Sequence, residues 1–290
     1  MTTKQELQPV LIRSNWRHYF EDHHEGLGTT YERFILHRFF IELEARFALK
    51  SVLEAPLFGM TGVSGINSLW WAHHGIPVTL LDDHEERIRL VRDLWRNNGY
   101  DVEVVGVPSF RSLPFEDRTF DLSWNFAALW FVPELEPFLR ELCRLTRKVI
   151  MICIPNPWGI GHMLRFAGKK AQCAGLYLDN LRPEVIIDTM ERLGWRRLKQ
   201  AYFDVPPWPD IAMKKEDLLK RVGFGRSSPS QPCKPAECLC ILDYYNGTKP
   251  DMESDVLKLA FLENAPEFVQ RFWAHHICLQ FVTASEGDRS

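Results

Sequence analysis

The chain has 290 residues, a hydrophobic fraction of 46%, a charged fraction of 25% and a formal net charge of −3. This balance is typical of a soluble globular protein and gives no sign of affinity for nucleic acid or an anionic membrane. No apolar run approaches the ~20 residues that cross a bilayer, and the N-terminal segment lacks a signal peptide's apolar core. Seven cysteines, an odd number in a chain this large, favour a reducing, cytoplasmic setting.

The first predicted helix begins at a capping-box pattern, Thr29-x-x-Glu32, and carries apolar residues at helical spacing. Upstream, His23 and His24 stand between acidic residues. Because no further ligand follows at a helical offset, a solvated turn explains these histidines better than a metal site does. Residues 1–50 are therefore expected to form an N-terminal segment and a helix that packs on the core.

A strand and a glycine-rich loop follow. A short apolar run ends at Glu54, and three evenly spaced glycines come after it, Gly59, Gly62 and Gly65. Glycine lacks a Cβ atom, so such a loop lets a ligand lie against the backbone, and the next helix points free N–H groups at that ligand. A second apolar run ends at Asp82, where an acid is well placed to bind ribose hydroxyls. The stretch predicts a nucleotide-binding unit.

The elements after this unit keep alternating between helix and strand. The next helix has capping-box spacing at Asp83 and Glu86. Three more strands are predicted, at Val102–Val105, Leu122–Asn125 and Lys148–Ile154. Such alternation predicts an α/β fold with a doubly wound, mostly parallel sheet and helices on both faces. A ligand should lie outside the carboxyl ends of the strands, where Glu54, Asp82, Ser109 and Asn125 fall.

The second half of the chain is less regular. A helix is predicted at Pro183–Leu193, a sixth strand at Trp195–Val205 and a seventh strand at Glu237–Tyr245. Two final helices are expected near residues 251–263 and 265–277. We expect one structural domain with four parts: the N-terminal segment and helix (1–50), the ligand-binding core (51–155), a substrate-side insert with the last two strands (156–250), and C-terminal helices (251–290).

Together these features resemble the class I S-adenosylmethionine-dependent methyltransferases, most closely the type 11 group, which acts mostly on small molecules. The resemblance covers about Ser51 to Pro155, together with the later helix and the two strands predicted after it. It rests on the strand-end acids, the glycine loop, and a loop that contains Leu113-Pro114-Phe115 and Phe120-Asp121. It implies a seven-stranded Rossmann-like sheet whose final strand is antiparallel, with S-adenosylmethionine as the cofactor. The expected activity is methyl transfer to a small or medium-sized acceptor, and the aromatic and proline content of residues 156–236 indicates a partly apolar one.

The resemblance also implies roles for single residues. Asp82 would bind the ribose hydroxyls, and Glu54 would steady the loop and the methionine amino group. Ser109 and Phe110 would lie at the adenine, although many relatives carry an acid at the position of Ser109. Tyr31 would lie at the cofactor carboxylate. Asn125, at a strand end, either contacts the methionine part or caps the next turn.

The glycine loop departs from the family pattern. Pro56 and Phe58 stand where the first two motif glycines would be, counting from the strand-end acid. The loop is then lengthened, and which of Gly59, Gly62 and Gly65 lies against the cofactor stays open.

Two other functions stay open. The glycine spacing also fits a dinucleotide loop, in which Asp82 would favour NAD and the protein would be an NAD-dependent oxidoreductase. The altered loop and Ser109 also fit a non-catalytic protein that keeps the fold as an interaction module. The catalytic residue and the oligomeric state are left open. His162 and Asp204 lie near strand ends and either could act as a base, although a surface role in a loop is the simpler interpretation.

No metal site is predicted. Cys233, Cys238 and Cys240 lack the spacing of a zinc site, and the last two alternate along a predicted strand.

Overall fold

The computed structural model describes residues 17, 20, 23, 25–59, 62–166, 176–206 and 239–283. Nine strands run through these residues: β1 (Val52–Glu54), β2 (Phe58–Gly59), β3 (Gly62–Val63), β4 (Val78–Asp82), β5 (Glu103–Gly106), β6 (Phe120–Phe126), β7 (Thr146–Pro155), β8 (Trp195–Phe203) and β9 (His276–Thr283).

Helices surround the strands. In the described ranges they are α1 (Gly26–Phe47), α2 (Leu69–His73), α3 (Glu85–Asn97), α4 (Leu135–Leu145), α5 (Ile160–Phe166), α6 (Pro183–Arg192), α7 (Ile241–Tyr245), α8 (Met252–Val256) and α9 (Glu267–Trp273). Four 3₁₀ segments lie between them, at Ser64–Ile66, Leu129–Phe131, Leu178–Leu181 and Leu257–Asn264. None of these helices has the length and apolar character that crossing a bilayer requires.

Seven strands form one sheet in the order β5-β4-β1-β6-β7-β9-β8. The five strands from β5 to β7 in this order pair in parallel. β9 is antiparallel to both of its neighbours, β7 and β8. The predicted mostly parallel sheet with an antiparallel final strand is confirmed. β2 and β3 form a separate antiparallel hairpin.

The core of the sheet is apolar on both faces because helices cover both sides. Every residue of β4 and β6 is buried, as expected of central parallel strands. α3 turns its predicted apolar stripe inward, with Val91 and Trp95 fully buried. α4 does the same with Phe138 and Leu142. Burial of a single side chain of this size contributes about 2–3 kcal/mol to folding.

The predicted seventh strand at Glu237–Tyr245 is wrong. Residues 241–245 form α7, and the seventh strand of the sheet is β9, in a stretch expected to hold a helix end and a polar tail. Residues 237 and 238 lie outside the described residues. Ile241, Leu242 and Tyr245 bury one face of a helical turn, a pattern that a short apolar run shares with a strand.

Both capping predictions are also wrong. α1 begins at Gly26, so Thr29 and Glu32 lie inside the helix. α3 begins at Glu85 with His84 at its N-cap. Asp83 instead forms an ion pair with a residue of the first helical turn, which a spacing rule for caps does not anticipate.

His37 joins α1 to α7 inside the core. It is almost fully buried, and its Nε2 atom lies 2.8 Å from the hydroxyl oxygen of Tyr245. Burial, assisted by the nearby Arg33 charge, lowers the pKa of His37 from 6.5 to about 3. Between these two values the unfolded chain binds a proton that the folded chain does not, so acid favours unfolding.

We therefore expect the contribution of His37 to the free energy of unfolding to fall below pH 6.5. His37 should contribute a slope of up to about 1.4 kcal/mol per pH unit. In urea titrations at successive pH values, His37→Gln should reduce this slope, because glutamine bonds Tyr245 without titrating. The control Tyr245→Phe should keep the wild-type slope. An unchanged slope in His37→Gln would show that His37 does not control acid stability.

Candidate functional site

The carboxyl ends of the parallel strands meet at one edge of the sheet. β1 ends at Glu54 and β4 ends at Asp82. Asn125 is the second-last residue of β6, just before Phe126. All three polar side chains are fully buried. β1 lies between β4 and β6, where the strand order changes direction, which is the position at which open α/β sheets bind ligands.

Asp82 is held by the start of α3. Its Oδ1 atom accepts hydrogen bonds from the His84 backbone N–H (2.8 Å) and from Arg87 Nη2 (2.6 Å) and Nε (3.0 Å). Among the described residues, Oδ2 accepts a hydrogen bond from Arg87 Nε alone, at 3.0 Å, so it has room for a further donor. Burial raises the pKa of Asp82 to about 6, against the opposing effect of Arg87. Arg87 was not predicted from the sequence, because it lies inside a helix and belongs to no recognisable motif.

Arg87 also contacts the glycine loop. Its guanidinium carbon lies 4.2 Å from the ring centre of Phe58, and Phe58 lies 4.9 Å from Phe131. The loop is thus seated between the end of β4 and the segment that follows β6.

Two glycines of the loop have different structural roles. A Cβ atom on Gly59 would lie 2.2 Å from the Phe126 carbonyl oxygen, so only glycine lets the β2–β3 hairpin approach the end of β6. A Cβ atom on Gly65 would lie 3.1 Å from Leu80 Cδ1, and the Gly65 carbonyl accepts a hydrogen bond from Trp95 Nε1. Gly65 therefore allows close packing between the loop, β4 and α3. Gly62 pairs with Gly59 across the hairpin.

Glu54 is held by a residue that follows the glycine loop. Its Oε2 atom accepts a hydrogen bond from Ser68 Oγ, just before α2. The same Ser68 oxygen accepts from Trp124 Nε1 of β6, at 3.1 Å. Glu54 thereby links the end of β1 to the elements on either side of the loop.

Asn125 is the least satisfied polar side chain at this edge. It is fully buried, and neither its amide nitrogen nor its amide oxygen has a hydrogen-bond partner in the described part of the chain. Each buried polar atom left unpaired costs about 1–3 kcal/mol. Two residues later, Ala127 adopts a left-handed conformation (φ 47°), and its N–H bonds the Cys153 carbonyl at 2.8 Å. Asn125 is therefore suited to a ligand that supplies both a donor and an acceptor.

The loop after β5 holds the two residues expected near the adenine. Val107 N–H donates to the Asp82 carbonyl at 2.9 Å, so this loop adjoins the end of β4. Ser109 is exposed, and its Oγ accepts from the Arg111 N–H at 3.2 Å. The ring of Phe110 is buried against Phe138, with ring centres 5.8 Å apart, so it belongs to the core.

Tyr31 lies with other partners. Its hydroxyl donates to Glu263 Oε1 at 2.7 Å, and the same oxygen accepts from the Val205 N–H at 3.0 Å. This places Tyr31 beside the end of β8, while Glu54, Gly59, Asp82 and Asn125 gather around β1.

The other residues singled out in the sequence have separate positions. His162 lies in α5, and Cys240 directly precedes α7. Asp204 follows β8 and is buried. His24, Cys233 and Cys238 lie outside the described residues.

Known proteins provide two kinds of likeness. Residues 60–152 match the family model of a methyltransferase domain, a range that includes Asp82, Ser109, Phe110 and Asn125 but begins after Gly59. A comparison with curated protein sequences finds no match.

Two solved structures share the fold. One is the plantazolicin methyltransferase BamL, in complex with a triazolic desmethylPZN analog and SAH; its TM-score is 0.55 and its identity 12%, over 93% of this chain and 90% of that chain. The other is the complex of the Haloferax volcanii Trm112 methyltransferase activator with a methyltransferase, with a TM-score of 0.52 and 14% identity over 93% of this chain and 94% of that chain.

The structural likeness shows the fold, and the matched domain supports methyl-transfer chemistry. The match over residues 60–152 and the seven-stranded sheet support a class I S-adenosylmethionine-dependent methyltransferase.

Proposed function

We propose that the protein transfers the methyl group of S-adenosylmethionine to a small or medium-sized, partly apolar acceptor, with the cofactor lying across the ends of β1, β4 and β6. The observation that carries this proposal is the buried amide of Asn125, which has no partner among the described residues. The cofactor's amino-acid part has both an ammonium and a carboxylate group, which match the two halves of that amide.

The other residues of the edge fit the same cofactor. Asp82 would accept the ribose hydroxyls through Oδ2, which receives only one hydrogen bond. Glu54 would support the loop through Ser68. Ser109 and Phe110 would bring backbone groups to the adenine, since the Phe110 ring is committed to the core.

Two assignments are less direct. Gly62 and Gly65 would act through the fold of the loop, while Gly59 would lie nearest the cofactor because it already touches the end of β6. Tyr31, whose hydroxyl binds Glu263, would form the wall beside the acceptor.

When bound, the cofactor supplies a methyl carbon that its sulfonium already makes electrophilic. The protein therefore has to bind the cofactor and the acceptor, orient them towards each other and exclude water. Proximity and orientation can supply much of the barrier reduction. The aromatic rings of Phe58 and Phe131 adjoin the loop and would keep water from the site. A base is needed only if the acceptor atom must lose a proton.

Aromatic side chains beyond β6 and β7 support a partly apolar acceptor. Trp130 and Phe131 follow β6 with ring centres 5.7 Å apart. Trp158 follows β7, and the guanidinium carbon of Arg271 lies 4.8 Å from its ring centre. Trp124, by contrast, is a core residue that donates to Ser68. An apolar group with a polar or anionic end would suit this set.

Calorimetric titration of the full chain with S-adenosylmethionine, S-adenosylhomocysteine and NAD tests the cofactor assignment. We expect both sulfur compounds to bind and NAD not to bind. Transfer of a radiolabelled methyl group should then be scanned over small apolar acceptors, peptides and tRNA. A folded chain that binds neither sulfur compound would refute the proposal, and labelling of tRNA or peptide alone would refute the acceptor class.

Replacing Asn125 with leucine separates binding from stability. Asn125→Leu should weaken S-adenosylhomocysteine binding at least about tenfold, because each lost hydrogen bond costs about 1 kcal/mol or more. The free protein should be as stable as wild type or more stable, since an unpaired buried amide is removed. The control Ser123→Ala, on the same strand, should leave S-adenosylhomocysteine binding unchanged and make the free protein less stable. Ser123 Oγ accepts a structural hydrogen bond from Thr146 Oγ1, which this change removes. Unchanged binding in Asn125→Leu would remove Asn125 from the site.

The charge of Asp82 should make cofactor binding depend on pH. The ionised carboxyl is the better acceptor for ribose hydroxyls, so affinity should be full above about pH 6 and fall below it. The fall should approach about tenfold per pH unit. Asp82→Asn should bind weakly with a flat profile. The comparison variant Asp83→Asn removes a charge that raises the pKa of Asp82, so its affinity should still fall in acid, but at a lower pH than in the wild type. A wild-type pH profile in Asp82→Asn would contradict the ribose assignment.

Alanine at Gly59 should displace the hairpin, because the new Cβ would meet the Phe126 carbonyl oxygen at 2.2 Å. We expect the free energy of unfolding to drop by about 2 kcal/mol. Affinity for S-adenosylhomocysteine should fall at least about tenfold. The control Gly161→Ala, whose new Cβ would have its nearest neighbour 4.0 Å away, should leave both quantities near wild type. Wild-type values in Gly59→Ala would show that the hairpin is not in place against β6.

A further inference from the structure

A second group of buried polar side chains lies at the same edge of the sheet, where β8 and β9 meet α1. Glu32 comes from α1, Asp204 directly follows β8, and His276 begins β9. One potential ligand atom from each residue lies within 4.8 Å of the other two. The three positions are too far apart in the sequence for any spacing rule to link them.

All three side chains are removed from water, with 3%, 2% and 3% of their residues exposed for Glu32, Asp204 and His276. His276 Nε2 lies 2.8 Å from Glu32 Oε2. Each side chain also carries an atom without a hydrogen-bond partner in the described ranges: Glu32 Oε1, Asp204 Oδ1 and His276 Nδ1. Two carboxyl groups in this position are costly unless a cation or shared protons compensate them.

The surroundings hold the group in place. His275 Nδ1 lies 2.9 Å from Asp204 Oδ2, and the His275 N–H donates to the Asp204 carbonyl at 3.0 Å. The His276 ring lies between Phe203 and Phe126, with ring centres 5.3 Å and 4.8 Å away. Partners of this kind orient ligands in metal sites.

We propose that Glu32, Asp204 and His276 bind a divalent transition-metal cation such as Zn²⁺ or Mn²⁺. One imidazole nitrogen and two carboxylate oxygens form a donor set that suits these ions. Bonds of about 2.1 Å place ligand atoms about 3–4 Å apart, so ligand atoms separated by up to 4.8 Å need to close by about 1–2 Å.

The cation would balance the two carboxylates and link α1 to β8 and β9. Phe126, which contacts His276, directly follows Asn125 in β6, so this site adjoins the end of the candidate cofactor site. The inference does not depend on the proposed function, because metal binding is measured without cofactor or acceptor.

The full chain, freed of metal with a chelator, should be titrated with Zn²⁺ and Mn²⁺ by calorimetry and with Co²⁺ by absorption spectroscopy. We expect one cation per chain and a rise in Tm of about 5 °C or more at saturation. Bound Co²⁺ should show visible d–d bands without the strong near-ultraviolet band of thiolate ligands. Glu32→Gln, Asp204→Asn and His276→Gln should each weaken binding at least about tenfold and abolish the rise in Tm.

Glu263→Gln is the matched control. Its carboxyl accepts hydrogen bonds from Tyr31 and Val205 beside the group but is not one of the three ligands, so its variant should bind like wild type. No stoichiometric binding of any of the three ions by the wild-type chain would overturn the inference, and the cluster would then hold shared protons. A thiolate band in the Co²⁺ spectrum, or wild-type affinity in the three variants, would also overturn it. If a variant does not fold by circular dichroism, the wild-type stoichiometry and Co²⁺ spectrum still decide.

Discussion

The buried carboxylate of Glu54 holds the functional edge of the protein together. β1 has only three residues, yet it pairs with β4 on one side and β6 on the other. Its last carboxylate is bonded to Ser68, which also bonds Trp124 of β6. The end of β1, the entry to α2 and the middle of β6 are therefore fixed relative to one another. The loop between these anchors brings Gly59 close against the Phe126 carbonyl.

This edge has two chemically different halves. Around β1, the polar groups are a neutral amide, Asn125, and a carboxylate, Asp82, whose charge Arg87 partly balances. Around β9, two carboxyl groups and an imidazole lie together, and the buried Arg33 of α1 forms an ion pair with Glu25. The first set suits an organic molecule with hydroxyl and amino-acid groups, and the second suits a compact cation. The ring contact between Phe126 and His276 joins the halves, so a change in one can affect the other.

The parts of this arrangement that could be predicted from sequence are those encoded locally. Continuous apolar runs predicted the parallel strands, and the polar residue that ends each run predicted Glu54, Asp82 and Asn125 as edge residues. β9 was missed because its polar residues, His276 and Gln280, interrupt the run, although the sheet buries both. The paired groups were missed for a physical reason: Arg87 with Asp82, and Glu32 with His276, depend on how elements pack and not on spacing. Glu32 fitted a capping pattern that α1 does not use, because α1 starts three residues before Thr29.

Unpaired buried atoms distinguish ligand sites from ordinary core polarity in this fold. Thr146 and Ser123 are polar and buried in the sheet, but Thr146 Oγ1 donates a hydrogen bond to Ser123 Oγ at 2.6 Å, so these two side chains satisfy each other. Among the buried side chains of the described residues, Asn125 alone leaves two polar atoms without a partner. An unpaired buried amide is useful where a ligand can pair with it. Without a ligand, an apolar residue of similar size would make the protein more stable. Asn125 is thus a more specific marker of a ligand site than Gly59 or Gly65, whose close contacts are explained by packing.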